Sequence, residues 1–315
     1  MSGFPIRRVA VLGAGVMGAQ IAAQLVNCQV PVVLFDLPAK ESNKNATVHK
    51  ALANLQKLKP APLGVAQDAA LIQAANYEDD LDKLKGCDLI IEAIAERLDW
   101  KEDLYKKIAP FVAPHAILAT NTSGLSINTL ASVLPADLQS RFCGIHFFNP
   151  PRYMYLVEII PTTHTQSEVL DVLESFITST VGKGVVRAQD TPNFIANRIG
   201  IANILATAKL TEAFGLGWDV ADDLTGKKLG RASSGTYRTA DVVGLDTLAH
   251  VIKTLQDNLS VKTDPFYPNY GTPAALSMLL EKGYLGQKTG SGFYKKVGKD
   301  ILNFDPKTGD YVAGG

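Results

Sequence analysis

Short apolar runs of strand length recur along the chain up to residue 188, and most are followed by a segment whose apolar residues lie three or four positions apart. That spacing is typical of helices that pack one face on a core. The pattern predicts mostly helical structure over 39–73, interrupted by Pro60-Ala61-Pro62. It predicts buried strands at 8–12, 30–36, 88–94, 116–119, 142–148, 155–160 and 184–188. Strands that alternate with helices predict an α/β domain with a Rossmann-type, doubly wound, mostly parallel sheet.

The pattern changes beyond Pro192 and becomes helical. Helices are predicted there at 193–214, 218–228, 239–257 and 272–282, the first with a continuous apolar face. Two short apolar runs at 300–303 and 310–312 predict a small hairpin. We therefore predict a sheet domain, a smaller all-helical domain and a tail, which cover 1–188, 189–295 and 296–315.

Composition narrows the class of protein. A chain of 315 residues favours two domains, and its 31 basic and 31 acidic side chains give no indication of a nucleic-acid or membrane-surface partner. Its three cysteines lie in apolar runs without metal-ligand spacing, which predicts reduced core thiols and no metal site. No apolar signal region opens the chain and no apolar stretch approaches the roughly 18 residues of a membrane span, so we expect a cytoplasmic protein.

A glycine-rich turn, Gly13-Ala14-Gly15-Val16-Met17-Gly18, follows the first predicted strand and opens a helix. The context matches the dinucleotide fingerprint, in which Gly13 makes the tight turn, Gly15 admits the pyrophosphate and Gly18 packs the helix on the strand. The second strand ends in Asp36, whose carboxylate would accept hydrogen bonds from the ribose and repel a 2′-phosphate. NAD is therefore favoured over NADP; the alternative is that the glycines serve only a tight turn.

Two ionisable residues interrupt the apolar runs at 142–148 and 155–160. Neighbouring strands can bring the imidazole of His146 within hydrogen-bond reach of the Glu158 carboxylate. A carboxylate on one ring nitrogen fixes the tautomer and leaves the other nitrogen free to take a proton, as in a general base. The alternative is a satisfied core histidine and a glutamate on a solvated strand face.

A polar cluster, Asn121-Thr122-Ser123-Gly124, follows the predicted strand at 116–119. The carboxyl edge of a parallel sheet is where α/β proteins bind ligands, so these residues are candidates for a binding site. The alternative is that Ser123 only caps the next helix.

These motifs together resemble the L-3-hydroxyacyl-CoA dehydrogenase family of fatty-acid β-oxidation. In the first domain the resemblance rests on the glycine turn, Asp36, IIEAIAE at 90–96, Asn121-Thr122-Ser123 and HFFNPP at 146–151 with Glu158. In the second it rests on DTPNFIANR at 190–198, VGLDT at 243–247 and GQKTGSGFY at 286–294. The resemblance runs from about residue 6 to residue 295.

The resemblance implies an NAD-dependent oxidoreductase that interconverts (S)-3-hydroxyacyl-CoA and 3-oxoacyl-CoA. His146 would be the base that takes the proton of the C3 hydroxyl, and Glu158 would orient its ring. Ser123 and Asn197 would hydrogen-bond the substrate oxygen, and Asn149 would support the same network. The substrate implied is an acyl-CoA thioester.

The resemblance also implies cofactor contacts and an assembly. Glu96 and Asn121 would lie beside the nicotinamide end of NAD, with Lys101 near the cofactor or the CoA moiety. The helical domain would cover the acyl chain and form a homodimer interface.

Three departures from the family limit what can be carried over. Asn193 stands where the family usually has glycine, although asparagine tolerates left-handed backbone geometry better than most residues. Around Gly235-Thr236-Tyr237-Arg238 the family's usual Gly-Pro-Phe-Glu is altered, and Arg238 places a cation where an acid is usual, so the resemblance does not define the acyl pocket or the chain-length preference. The hairpin after Tyr294 suggests the dehydrogenase part of a longer β-oxidation protein, continued into an enoyl-CoA hydratase-like region.

Two other functions stay open at this point. One is an NAD-dependent dehydrogenase of a small free hydroxy acid or sugar acid. The other is an NAD-binding structural or sensor protein that has lost turnover, which the presence of His146, Glu158, Ser123 and Asn197 disfavours because a dinucleotide site alone does not require them.

Overall fold

The computed structural model describes residues 5–314. The chain divides into two compact units, Met1–Phe194 and Ile195–Gly315, and each contains buried apolar clusters of its own. Within the described residues, no helix combines the length and apolar character needed to cross a membrane.

One sheet of eight strands forms the centre of the first unit. The strands are β1 (Val9–Leu12), β2 (Val32–Asp36), β3 (Ile72–Asn76), β4 (Leu89–Glu92), β5 (Ile117–Thr120), β6 (Phe142–Phe147), β7 (Leu156–Pro161) and β8 (Gly184–Arg187). Their spatial order is β3-β2-β1-β4-β5-β6-β7-β8. All neighbours are parallel except β6 and β7, which pair antiparallel. The predicted doubly wound, mostly parallel sheet is confirmed.

Helices accompany this sheet and both of its faces are buried. The helices of the first unit are α1 (Val16–Asn27), α2 (Ala46–Leu55), α3 (Leu98–Ile108), α4 (Ile127–Ala131), α5 (Ala136–Gln139) and α6 (Ser167–Ser175). Alternate residues of β1 enter two different apolar clusters, Val9 and Val11 one of them and Ala10 and Leu12 the other. Burial on both faces explains why these strands are continuous apolar runs in the sequence.

The segment 39–73 differs from the prediction. Its α-helix is confined to α2, a 3-10 helix follows at Ala66–Leu71, and β3 begins at Ile72 and pairs in parallel with β2. After Ile72 this strand reads Gln-Ala-Ala-Asn, which lacks the β-branched and aromatic residues that mark a strand. Pairing with β2 and burial of Ile72 and Ala75 therefore override the local helical preference.

The second unit is mainly helical, as predicted. Its helices are α7 (Ala196–Ala213), α8 (Trp218–Thr225), α9 (Tyr237–Val243), α10 (Leu245–Asn258) and α11 (Ala274–Glu281). The helix predicted over 239–257 is in fact two helices, because Gly244 between them has φ +101°, a conformation that ends a right-handed helix.

A small sheet follows the helices of the second unit. Strands β9 (Tyr294–Val297), β10 (Asp300–Asp305) and β11 (Asp310–Ala313) form an antiparallel sheet in the order β11-β10-β9. The predicted hairpin is present as β10 and β11. It is not a separate tail, however, because Phe304 is buried in the same apolar cluster as Phe293 and the helices of the second unit.

A buried pair of aspartates joins this sheet to the helices. The Asp222 carboxylate accepts hydrogen bonds from the amides of Thr236, Tyr237 and Arg238 at the start of α9, and the Asp241 carboxylate accepts from the amides of Phe293 and Tyr294. Burial raises the pKa of Asp241 to about 6, and the nearby Asp222 carboxylate adds to the effect.

We expect this raised pKa to appear as a pH-dependent stability. From about pH 4 to about pH 6 the Asp241 carboxyl is ionised in the unfolded chain but still protonated in the folded chain. Its contribution to the free energy of unfolding therefore falls by about 3 kcal/mol as the pH rises through that window. Asp241→Asn should remove this dependence. Urea unfolding at pH 4 and pH 7 measures it, and a parent-minus-variant difference that is equal at both pH values would contradict the assignment.

Candidate active site

His146 and Glu158 lie directly opposite each other on the antiparallel strands β6 and β7. The His146 Nδ1 atom and the Glu158 Oε2 atom are 2.7 Å apart. Both side chains are buried, with 4% of His146 and none of Glu158 exposed. The hydrogen bond occupies Nδ1, and Nε2 has no hydrogen-bond partner among the described residues of the first unit. The pair predicted from the sequence is therefore formed, with one ring nitrogen held and the other open.

The polar cluster after β5 is tied to the loop after β4 by one carboxylate. Glu96 accepts hydrogen bonds from Thr122 Oγ1 at 2.6 Å, from the Ser123 amide at 2.5 Å and from Ser123 Oγ at 3.1 Å. The Asn121 side-chain oxygen accepts from the Phe147 amide at 2.9 Å, one residue after His146. The predicted residues Glu96, Asn121 and Ser123 thus lie together at the carboxyl edge of the sheet, beside the strand that carries His146.

Asn149 and Asn197 are the remaining residues predicted to contact the substrate. Asn149 is exposed in the loop after β6, and its side-chain oxygen accepts a hydrogen bond from Gln20 Nε2 of α1 at 3.0 Å. Asn197 belongs to the second unit, in the first turn of α7. Its role at the substrate oxygen stays a prediction.

The glycine turn between β1 and α1 has the shape that a bound dinucleotide requires. Gly13 has φ +101°, and a Cβ atom there would lie 2.8 Å from the Ala93 carbonyl oxygen. A Cβ atom on Gly18 would lie 1.8 Å from the Gly13 carbonyl oxygen, so the helix can approach the strand only without a side chain. A Cβ atom on Gly15 would meet nothing within 4 Å. The space beside Gly15 is where a pyrophosphate would approach the backbone.

A cavity of about 510 Å³ adjoins this turn. Gly13, Gly15 and Asp36 line it, and so does the α3 surface that includes Trp100 and Lys107. The Asp36 Oδ2 atom accepts a hydrogen bond from the amide of Ala14 in the glycine turn at 2.7 Å, which fixes the carboxylate at the cavity edge.

Tyr77 also lines the cavity and was not predicted. Its hydroxyl is buried and has no hydrogen-bond partner among the described residues, and burial raises its pKa well above the usual value. A buried hydroxyl without a partner is costly, so it favours a ligand with a polar group in this cavity.

Lys101, which the resemblance places near the cofactor or the CoA moiety, forms a buried ion pair. Its ammonium lies 2.6 Å from Glu92 Oε1, with 1% of the lysine and none of the glutamate side chain exposed. Glu92 also accepts hydrogen bonds from Tyr105, Thr120 and the Ile94 amide, at 2.8, 2.7 and 2.7 Å. Lys101 is thus already paired inside the protein, and we assign it to the support of the loop that carries Glu96.

Sequence reasoning missed this Glu92 cluster, although a signal was present. Glu92 is an ionisable residue at the end of a buried apolar strand, and such a residue requires partners because an unpaired buried charge is costly. The sequence alone does not say which of the lysines that follow would supply the partner.

Two family models match this chain almost end to end. The model described as 3-hydroxyacyl-CoA dehydrogenase, NAD binding domain, matches residues 8–191, and the model described as 3-hydroxyacyl-CoA dehydrogenase, C-terminal domain, matches residues 194–296. The chain belongs to the 3-hydroxyacyl-CoA dehydrogenase family. The first of these matches supports NAD as the cofactor, in agreement with the glycine turn, and the family is one of NAD-dependent dehydrogenases.

Relatives from several organisms agree with this family. A protein of Deinococcus radiodurans named as a 3-hydroxyacyl-CoA dehydrogenase is 43% identical, over 93% of this chain and 83% of its own length. The mitochondrial hydroxyacyl-coenzyme A dehydrogenase of Sus scrofa is 34% identical, over 92% of this chain and 91% of its own length. A Bacillus subtilis relative is 41% identical over 97% of this chain, which spans only 40% of that protein.

Two solved structures that resemble this chain have the same fold. The (S)-3-hydroxybutyryl-CoA dehydrogenase of Ralstonia eutropha is 30% identical with a TM-score of 0.74, over 93% of this chain and 99% of that one. The FadB2 protein of M. tuberculosis gives a TM-score of 0.77 at 30% identity, over 93% and 100%.

Proposed function

We propose that this protein interconverts (S)-3-hydroxyacyl-CoA and 3-oxoacyl-CoA in fatty-acid β-oxidation. The observation that carries the proposal is the buried His146–Glu158 pair, with Nδ1 held at 2.7 Å and Nε2 open. A dinucleotide site alone does not need such a pair, whereas oxidation of an alcohol needs a group that takes the hydroxyl proton. The family membership supports the substrate class.

His146 acts as the general base in the oxidation direction. Its Nε2 takes the proton of the C3 hydroxyl, and the adjoining Glu158 carboxylate stabilises the imidazolium that results. In the reduction direction the same Nε2 returns the proton to the forming alkoxide. Bound NAD would supply the hydride acceptor for C3, and His146 supplies the proton acceptor for the hydroxyl.

Ser123 and Asn197 bind the substrate oxygen, and Asn149 supports this network through its contact with Gln20. The hydroxyl of Ser123 donates to Glu96 in the structure, so Ser123 turns its proton toward the substrate only when this hydrogen bond is exchanged. Glu96 and Asn121 then lie at the nicotinamide end of the cofactor.

The glycine turn and Asp36 bind the pyrophosphate and the adenosine ribose. Asp36 lies at the cavity edge, so a 2′-phosphate would meet its negative charge. This supports NAD rather than NADP as the physiological cofactor.

We also propose that the second unit carries a homodimer interface. Large apolar side chains are exposed along α7 and at its C-cap, where Ile199, Leu210 and Phe214 have exposed fractions of 64%, 56% and 72%. Exposed apolar surface of this kind marks interaction sites. Sedimentation equilibrium tests the proposal, and a monomer at micromolar concentration would refute it.

The reaction is tested by NADH consumption with acetoacetyl-CoA, in parallel with free acetoacetate and with NADPH as the reductant. We expect turnover only with the thioester and NADH. Turnover with the free acid would assign the protein to small hydroxy acids instead. Tight NADH binding without turnover on either substrate would indicate a binding protein.

Trp100 provides a separate test of the cofactor cavity. The chain has two tryptophans, and Trp100 lines the cavity whereas Trp218 lies in the second unit. Because tryptophan emission overlaps NADH absorption, we expect NADH to quench the fluorescence mainly through Trp100. Trp100→Phe should remove most of the quench. It should also weaken NADH binding by about 2- to 10-fold, which corresponds to the binding free energy that one aromatic contact contributes.

The matched control is Trp218→Phe. It should retain both the quench and the parental dissociation constant for NADH. Equal quenching in the two variants would show that the nucleotide does not bind beside α3.

A further inference from the structure

The segment that links β8 to α7 contains two successive residues in the left-handed backbone region. Asn193 has φ +58° and Phe194 has φ +52°. Asparagine visits this region readily. A bulky aromatic residue rarely does, and it stays there only when the surrounding structure holds it. Strain of this kind clusters at functional sites, so its surroundings are informative.

Contacts on both sides hold the turn in place. The Asp190 carboxylate accepts hydrogen bonds from the Ser126 hydroxyl, from the Asn128 side chain and from two backbone amides in the first turn of α4, at 2.7 to 3.0 Å. The Phe194 amide donates to the Thr191 carbonyl at 2.9 Å. The Phe194 side chain is 3% exposed and packs in one of the two apolar clusters of the first unit.

The strained residue contacts the proposed base. The Phe194 and His146 rings have centroids 5.6 Å apart and planes inclined at 61°. Phe148 makes a second contact of the same type with the imidazole, at 4.5 Å and 61°. Glu158 holds the imidazole at one atom only, so that hydrogen bond alone leaves the ring free to tilt about Nδ1. The two aromatic contacts restrict the tilt.

We propose that Phe194 is a positioning residue for His146, and that the left-handed turn at Asn193 places its ring. Phe194 exchanges no proton and contacts neither substrate nor cofactor in this proposal. It keeps Nε2 directed at the C3 hydroxyl, which matters because a misplacement of about 1 Å at a reacting group can cost about 100-fold in rate. The inference rests on the proposed function for its effect on turnover, but the ring contact can be tested without turnover.

The first variant is Phe194→Leu, with Phe142→Leu as its matched control. Phe142 is equally buried in the same cluster and makes a ring contact of the same centroid separation, 5.6 Å, but with Tyr105. We expect Phe194→Leu to lower kcat by about 10- to 100-fold, with unchanged KM and NADH affinity. Phe142→Leu should lose similar thermal stability and keep its kcat. Equal kcat losses in the two variants would overturn the proposal.

The second pair of variants tests the turn. Asn193→Gly keeps left-handed geometry accessible and should keep kcat near the parental value. Asn193→Val disfavours that geometry and should lower kcat as Phe194→Leu does, although the Phe194 ring is intact. A valine variant with parental kcat would show that the turn does not place the ring.

A spectroscopic measurement separates this inference from the proposed reaction. The method is proton NMR of protein that contains 15N-labelled histidine. The resonance of the His146 Nδ1 proton, which is hydrogen-bonded to Glu158, is assigned as the one that is missing from the spectrum of His146→Gln. We expect this resonance to be sharp in the parent and in Phe142→Leu, and broadened by faster exchange with water in Phe194→Leu. An unchanged resonance in Phe194→Leu would overturn the inference. A parent without turnover would overturn only the proposed function.

Discussion

Glutamine in place of His146 lowers the rate of acetoacetyl-CoA reduction by about 10²- to 10⁴-fold, the usual contribution of a positioned general acid or base. The amide of glutamine can still donate to Glu158, so the buried carboxylate keeps a partner. The glutamine amide cannot carry a proton between enzyme and substrate, and kcat therefore falls. NADH affinity should be unchanged, because His146 is not among the residues that line the cofactor cavity. Steady-state kinetics and an NADH titration measure the two quantities.

His164→Gln is the matched control, since His164 is exposed in the turn after β7 and should tolerate the same substitution with parental kcat. Glu158→Gln should lower kcat as well, because the imidazolium loses the carboxylate that stabilises it. If His146→Gln retained kcat within about threefold of the parent, proton transfer by His146 would be excluded.

Methionine in place of Lys101 destabilises the protein by about 3–5 kcal/mol, because it leaves the Glu92 carboxylate charged and buried without its ion-pair partner. The lysine and glutamate side chains are 1% and 0% exposed, so water cannot compensate. Glu92 also binds the Ile94 amide, and the loop from there to Glu96 borders the cofactor cavity. NADH affinity should therefore fall together with stability. Urea unfolding at pH 7 and an NADH titration measure both effects.

Two further variants test whether loss of the buried Lys101–Glu92 ion pair causes the lower stability of Lys101→Met. Lys85→Met removes an ion pair with Asp82 whose side chains are 60% and 77% exposed, and should change the free energy of unfolding by less than about 1 kcal/mol. Adding Glu92→Gln to Lys101→Met should recover part of the loss, because the uncompensated charge is removed. A loss in Lys101→Met no larger than in Lys85→Met would contradict the assignment.

The sequence predicted those parts of the fold that depend on local pattern. Strands buried on both faces, such as β1 and β4, are almost entirely apolar runs, and that pattern is visible without coordinates. Strand β3 was missed because pairing with β2, and not its own residues, makes it a strand. Strand β9 was missed because Tyr294-Lys295-Lys296-Val297 is partly exposed and polar, so no apolar run marks it.

Some residues of the candidate site could likewise be predicted from the sequence and others could not. His146 and Glu158 were predictable because each is an ionisable residue inside an apolar strand, and the two strands follow each other in the chain and pair. The pairing of Lys101 with Glu92 was not, because the sequence shows a lysine on a helix but not which way it points. The orphan hydroxyl of Tyr77 depends on the shape of a cavity, which a single sequence does not contain.

The antiparallel register of β6 and β7 decides whether the His146–Glu158 pair forms, so activity depends on the connection between the two strands. His146 and Glu158 are 12 positions apart in the sequence. They meet because the pairing register of β6 and β7 places them directly opposite each other. A slip of one residue would turn the whole of one strand over, so that Val157 or Ile159 faced the imidazole and the carboxylate pointed to the opposite side of the sheet. Insertions or deletions in this connection are therefore compatible with activity only if they preserve the register of β6 and β7, whatever their effect on stability.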